Sequence, residues 1–304
     1  MLYSLIPEYV LNGVKNINLS QLAEIRLRIG APIMVNVSGE NKFLTPNGAE
    51  DSDENAIICK NSTLDYVLQV ASNQSLYTIN DQLIQGYITV KGGIRIGVAG
   101  EVVTVNGNIN TIKNITSLNI RIPHEIKNCS LNSYLYLTKN NLPFSTLILS
   151  PAGAGKTTFI RDLAYQLSKR NKKINILIVD ERSEITGISE GLMNLNAGNV
   201  DVICNSKKKF AFENGIRSLK PDVIITDELN LSGDLVAIEN AISSGVRVIA
   251  TIHASSIHDL KNKHGFTELL SKKLFERFVV LSLNNGAGTM EGVYNDNLSC
   301  IYCG

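Results

Sequence analysis

The chain has 304 residues, 44% of them hydrophobic and 19% charged, with a formal net charge of +1. That is the balance of a globular protein with room for one or two cores, and a glycine-rich turn beginning at Pro151, near the midpoint, favours two domains. Near-neutral charge argues against a broadly cationic nucleic-acid binder, and no apolar run approaches the roughly 20 residues of a membrane span, so no direct membrane insertion is expected. The N-terminus lacks a basic start followed by an apolar core, and a cytoplasmic protein is expected.

In the first half, Ala23, Ile25, Leu27 and Ile29 alternate with Glu24, Arg26 and Arg28, the period of a half-exposed strand. Gly30-Ala31-Pro32 makes a turn, and Ile33, Met34, Val35 and Val37 form a second strand of the same hairpin. The stretch from Asn41 to Asp53 is polar and turn-rich and reads as a loop. Leu64, Val67, Leu68 and Ala71 follow a 3.6-residue period and predict a helix from Ser62 to Ala71. Glycine-punctuated strands come next, Gly86 to Val90 and Gly92 to Val103, then a strand from Asn114 to Pro123. Short strands with few helices predict a compact α+β domain over residues 1–125. Residues 126–143 are predicted as a linker helix and 144–304 as the second domain.

That second domain opens on Thr146 to Tyr165. Leu147, Ile148 and Leu149 read as a buried strand, Ser150-Pro151-Ala152-Gly153-Ala154-Gly155 as a tight loop, and Phe159, Ile160, Leu163, Ala164 and Leu167 as one face of a helix. Strand, glycine loop and helix in that order are the context of a phosphate-binding P-loop, whose converging N–H groups and helix N-terminus attract an anion. Lys156 is placed to reach the outer phosphates of ATP, and Thr157, followed by Thr158, to ligate Mg²⁺. Ser150 stands where the pattern G-x-x-x-x-G-K-[ST] has glycine, so Gly153 and Gly155 must curl the loop.

Downstream, the apolar strand Ile176 to Val179 ends in Asp180-Glu181-Arg182-Ser183-Glu184, and Val223 to Thr226 ends in Asp227-Glu228. Buried parallel strands expose functional residues at their carboxyl ends. Asp227 is therefore expected to hold the Mg²⁺ shell and Glu228 to position water, the Walker B arrangement, with Glu181 a second acidic candidate. A third strand, Val246 to Ile252, ends at His253, a sensor for the terminal phosphate. Helices at Phe210 to Leu219 and Leu231 to Ser244 alternate with these strands and predict a parallel α/β sheet of the RecA type. Phe278 to Leu283 and Met290 to Tyr294 read as an edge hairpin. The lysine clusters, Lys207-Lys208-Lys209 among them, read as solvated helix ends. Five scattered cysteines fit a reducing compartment better than a disulfide frame, and a zinc site at Cys300-x-x-Cys303 would need two further ligands.

Arg95 and Arg121 each interrupt an apolar strand pattern. Either they are outward-facing or ion-paired residues, or they reach a neighbouring subunit's nucleotide, where a trans arginine supplies about 10³ to 10⁵ in rate.

Residues Ile216 to His253, with their Leu-Lys-Pro-Asp run, Asp227-Glu228 and Thr251-Ile252-His253, resemble the Walker B to His-box region of secretion and type IV pilus ATPases. The chain departs from them in having Asp227 for glycine and Arg182 for proline. A closer resemblance is to the stage III sporulation protein AA family. It rests on Glu24-Ile25-Arg26-Leu27-Arg28, Gly92 to Gly97, Ser117 to Ile122, Val179 to Ile185, and Glu291 to Tyr294. The resemblance implies an N-terminal domain like that of secretion ATPases (PAS-like) and a homo-hexameric ring. It also implies a place at the mother-cell face of a transenvelope channel, cytoplasmic but peripheral to a membrane complex whose membrane proteins are its partners. The expectation is a Mg²⁺-dependent ATP hydrolase. A nucleic-acid-stimulated RecA-type motor and a nucleotide-switched scaffold with little turnover are the alternatives.

Overall fold

Two sheets, each with its own hydrophobic core, organise the chain. The computed structural model describes residues 2–72, 80–105, 107–124, 126–189, 191–284, 286 and 288–303. They divide into two units, Met1–His124 with Gly187–Asn194, and Glu125–Thr186 with Leu195–Gly304.

The first unit contains helices α1 (Leu2–Leu5) and α2 (Glu8–Val14), strands β1 (Leu22–Arg28), β2 (Met34–Val37), β3 (Glu40–Thr45) and β4 (Gly48–Glu50), helices α3 (Asn61–Ala71) and α4 (Asn80–Ile84), and strands β5 (Tyr87–Val90), β6 (Ile94–Val105) and β7 (Asn108–Arg121). The strands pair antiparallel in the order β4-β3-β2-β1-β7-β6-β5. The alternation in β1 turns Ile25 and Leu27 into a core with Leu64 and Val67 of α3, and leaves Glu24 and Arg26 partly exposed.

The polar run from Asn41 to Asp53 is not a loop. It supplies most of the β3–β4 hairpin, which carries fully buried Leu44 and turns at Gly48 with φ +126°. Glu40, Asn41 and Asn47 are exposed while Thr45 is buried beside Leu44, so no regular alternation marks the strand for a periodicity search. The β6–β7 hairpin is also longer than its apolar pattern, because its outer half runs on past the neighbouring strands.

The second unit contains α5 (Leu131–Leu137), β8 (Thr138–Lys139), β9 (Leu142–Pro143), β10 (Thr146–Ser150), α6 (Lys156–Arg170), β11 (Ile176–Asp180), β12 (Asp201–Cys204), α7 (Lys208–Leu219), β13 (Val223–Thr226), α8 (Leu231–Ser243), β14 (Arg247–His253), α9 (Ile257–Lys261), α10 (Phe266–Ser271), β15 (Arg277–Ser282), β16 (Thr289–Asn295) and β17 (Cys300–Cys303). The main sheet runs β12-β11-β13-β14-β10-β15-β16-β17, parallel from β12 to β15 and antiparallel beyond. Every residue of β10, β11 and β13 is buried, as expected of strands covered on both faces. Phe212, Leu235, Ile238 and Leu269 from α7, α8 and α10 pack on one face. Tyr134, Phe159, Ile160 and Leu163 from α5 and α6 pack on the other.

Three expectations change here. The 126–143 segment is helical only at Leu131–Leu137, and it groups with the second unit, where the Asp162 carboxylate of α6 accepts the Asn128 N–H (2.8 Å), the Ser130 N–H (2.9 Å) and the Ser130 hydroxyl (2.6 Å). The strand expected at a terminal edge, β15, lies beside β10, and only β16 and β17 form that edge. Cys300 and Cys303 are joined as a disulfide, their Cα atoms 6.5 Å apart, whereas Cys59, Cys129 and Cys204 are free thiols. Among the described residues no helix is long and apolar enough to cross a membrane.

Candidate functional site

The site is built where β10, β14, β13 and β11 end side by side. Ser150 pairs in register with His253, Thr226 with Ala250, and Val179 with Thr226, so four parallel strands deliver their C-terminal residues to one edge. At β10, Ser150 keeps strand backbone and its hydroxyl donates to the Pro151 carbonyl at 3.0 Å. The curl falls on Gly153 (φ +78°) and Gly155 (φ +83°), conformations costly for any side-chain-bearing residue. Helix α6 starts at Lys156 with no side chain capping its first turn, which leaves its first N–H groups to the loop. The β15–β16 turn steadies the loop, the Gly288 N–H donating to the Ala154 carbonyl at 2.9 Å. Thr157 and Thr158 stand half-buried in the first helical turn.

Lys156 is half-buried, and burial pushes its pKa down against the opposing pull of the Glu228 and Asp227 carboxylates. The lysine and the two acids thus lie within electrostatic reach across β14. The Glu228 N–H donates to Thr251 Oγ1 and the Leu229 N–H to the Thr251 carbonyl, both at 2.8 Å, so β14 fixes the turn that follows β13. Glu228 holds φ +38°, an unusual backbone for a residue with a side chain, and lies exposed. His253 is likewise exposed at the end of β14.

Asp227 is 6% exposed. Burial first, and then the charge of Asp180, pushes its pKa up to about 6. An unfolded aspartate titrates near about 3.9. Between these values the folded chain binds the extra proton, so stability falls as pH rises from about 4 through about 6. Asp227→Asn is therefore expected to raise the stability of the nucleotide-free chain at pH 7 by up to roughly 2–3 kcal/mol and to flatten the profile across that window. Urea denaturation at pH 5 and pH 7 measures both effects.

Of the three acids at the end of β11 and in the loop that follows, Asp180 is fully buried and spent on the loop itself. Its carboxylate accepts the N–H groups of Glu184 (2.8 Å), Ile185 (3.1 Å) and Thr186 (2.8 Å) and the Thr186 hydroxyl (2.8 Å). Arg161 of α6 binds the same loop from outside, donating to the carbonyls of Glu184 (2.8 Å) and Ile185. Held in this way, the loop presents Glu181 and Arg182 to a cleft that also contains Asp227, Glu228 and His253. Arg182 pairs with Glu228 at 3.4 Å, and Glu181 with Lys208 at 2.6 Å.

Sequence reasoning missed Lys208, Asp234, Lys263 and His264 of the cleft, and of these Lys208 is paired with a candidate acid. Two exposed lysines flank Lys208, yet its own side chain is 6% exposed. The signal was present, since Lys208, Ala211, Phe212 and Gly215 form an i, i+3, i+4, i+7 stripe that becomes the buried face of α7.

Arg95 and Arg121 belong to the first unit, as register partners on β6 and β7, with Glu24 of β1 opposite Arg121. Arg121 pairs with Glu24 at 3.2 Å, and the Arg95 guanidinium lies 3.8 Å from the centroid of the Tyr87 ring.

Residues that fit a nucleotide with its magnesium are present. An uncapped helix N-terminus behind a glycine loop suits phosphate oxygens, Lys156 suits their charge, and a buried carboxylate beside it suits a hard cation through Thr157 and Asp227.

The chain matches the family model described as sporulation stage III, protein AA, over residues 6–301. It is 35% identical over 300 residues to stage III sporulation protein AA of Bacillus subtilis (strain 168), covering 95% of this chain and 93% of that protein. Among solved structures it is similar to the ATPase DotB of Yersinia pseudotuberculosis, with TM-score 0.56 and 14% identity over 91% of this chain and 76% of that one. It is also similar to the pilus retraction motor PilT with bound ADP, with TM-score 0.52 and 19% identity over 85% and 74% of the two chains. These likenesses place the fold with the secretion and pilus P-loop ATPases.

Proposed function

Because this chain belongs to the stage III sporulation protein AA family, and because its β10, β14 and β13 end at one edge, we propose that it is a Mg²⁺-dependent ATP hydrolase. The register that sets Ser150 beside His253 and Thr226 beside Ala250 carries this reading, since it gathers a phosphate loop, an imidazole and two carboxylates from segments about 100 residues apart.

In this reading the loop from Ser150 to Thr158 holds the phosphates through backbone N–H groups, and Lys156 neutralises the outer ones. Thr157 and Asp227 would hold the metal, which when bound would draw charge from the phosphate oxygens. Glu228 orients the attacking water and accepts its proton, while His253 contacts the terminal phosphate. The Arg182 guanidinium must release Glu228, and an exposed pair of this kind is worth only about 0–1 kcal/mol.

A P-loop site gains rate when a neighbour brings positive charge to it, which makes a homo-hexameric ring the expected assembly and Arg95 and Arg121 the candidate contributors. The proposed setting is the cytoplasmic side of a membrane complex formed during sporulation, with membrane proteins of that complex as partners. Phosphate release from ATP by the purified chain, with Mg²⁺ and with excess chelator, tests the reading. Turnover that needs the metal is expected, and ATP left intact under both conditions would overturn it.

A further inference from the structure

Lys208 occupies a place that local physics disfavours twice. It is the first residue of α7, where the positive end of the helix dipole repels a cation, and its side chain is 6% exposed. A buried ammonium is costly unless it is paired. Its neighbours Lys207 and Lys209 reach solvent from the same turn, so the chain has cations there that avoid that cost.

The compensation comes from acids of other elements. The Lys208 Nζ donates to Glu181 Oε2 at 2.6 Å. Its charge also favours the ionised carboxylates of Asp227 and Asp234 against their burial. Helix α7 packs closely on β11, where a Cβ on Gly215 would fall 2.2 Å from Leu177 Cδ2. Glycine there lets the helix close on the strand that leads into Glu181.

The cleft therefore arranges its charges in pairs, Glu181 with Lys208 and Glu228 with Arg182, beside the buried Asp227. Unpaired, these carboxylates would repel the phosphates of a nucleotide held at the same edge.

We propose that Lys208 is a positioning residue for hydrolysis, holding the Glu181 carboxylate at the Asp227–Glu228 edge and supplying the charge that lets this acidic wall face a polyphosphate. The role rests on the ATPase reading above. Lys208 acts through Glu181, whose carboxylate its ammonium holds at 2.6 Å.

The test uses the full chain with Lys208→Met, Lys208→Arg, Glu181→Gln and the double variant Glu181→Gln/Lys208→Met. It reads kcat and KM for Mg²⁺-ATP and the Tm without nucleotide. Lys208→Met is expected to lower kcat about 10- to 100-fold, the scale of a misplaced group, and to raise KM because the unpaired Glu181 carboxylate repels the nucleotide, a rise that the added Glu181→Gln reverses. Lys208→Arg should recover part of that loss. The double variant should fall no more than about threefold below the slower single one, because the two residues act as a unit. In the same way, Glu181→Gln should not lower the Tm of the Lys208→Met chain any further.

A fall in Tm with unchanged kcat, or losses that multiply in the double variant, would overturn the role. If Lys208→Met does not fold, Glu181→Gln must reproduce the kcat loss by itself, and a normal kcat in that variant would overturn the proposal. No hydrolysis by the wild-type chain would overturn the ATPase reading and this role with it. Wild-type hydrolysis with an unaltered Lys208→Met would overturn the role alone.

Discussion

Glu228→Gln is expected to slow ATP hydrolysis by about 10²- to 10⁴-fold, the usual contribution of a positioned general base, while leaving nucleotide affinity within a few-fold. The surroundings of Glu228 concentrate the effect on chemistry. Glu228 lies exposed at the edge where β10, β14 and β13 end, and its N–H is fixed to Thr251 Oγ1 at 2.8 Å. The positive φ of +38° comes from the backbone and is the same with glutamine. The phosphate loop and Lys156 belong to other elements and are unaltered. Single-turnover phosphate release, beside titration with a fluorescent ATP analogue, separates rate from binding. Wild-type turnover in Glu228→Gln would remove Glu228 from the reaction.

Lys156→Ala is expected to weaken ATP binding by about ten- to a hundredfold, as for a lost charge-assisted hydrogen bond of about 1.5–3 kcal/mol. The fold should survive. Burial lowers the proton affinity of this ammonium, so the nucleotide-free chain bears a cost for holding the charge, and alanine relieves it. Calorimetric titration with ATP, paired with a circular-dichroism melt of the free chain, reads both effects. Unchanged affinity would place the phosphates elsewhere, and an unfolded variant would make Lys156 a structural residue.

The residues legible in the sequence are those whose signal is local. Leu147 to Leu149, the glycine loop, and the stripe from Phe159 to Leu167 each state their own structure, and together they give β10 and α6 within a residue or two. Val223 to Thr226 followed by two acids gives β13 in the same way. Neighbour relations were less legible. Nothing in Phe278 to Leu283 says that the strand sits in the parallel sheet beside β10.

The roles of the acids after β11 depend on where each side chain turns. Asp180 is consumed by the amides of Glu184, Ile185 and Thr186, whereas Glu181, one residue later, faces the cleft. Both read as acids at a strand end, and only the loop's return path separates them. Lys208 was hidden by its company, because three consecutive lysines read as solvent-facing, and a helix begun at Phe210 leaves it outside the periodic stripe. The β3–β4 hairpin was hidden by an edge whose polar side chains resemble a loop.

A crystal structure of this chain with Mg²⁺ and a non-hydrolysable ATP analogue will reveal whether four parallel strand ends form one triphosphate site. The analogue's phosphates are expected in the loop from Ser150 to Thr158, the metal between Thr157 and Asp227, and the terminal phosphate facing Glu228 and His253. An analogue bound away from Lys156, or a metal held without Asp227, would contradict that arrangement.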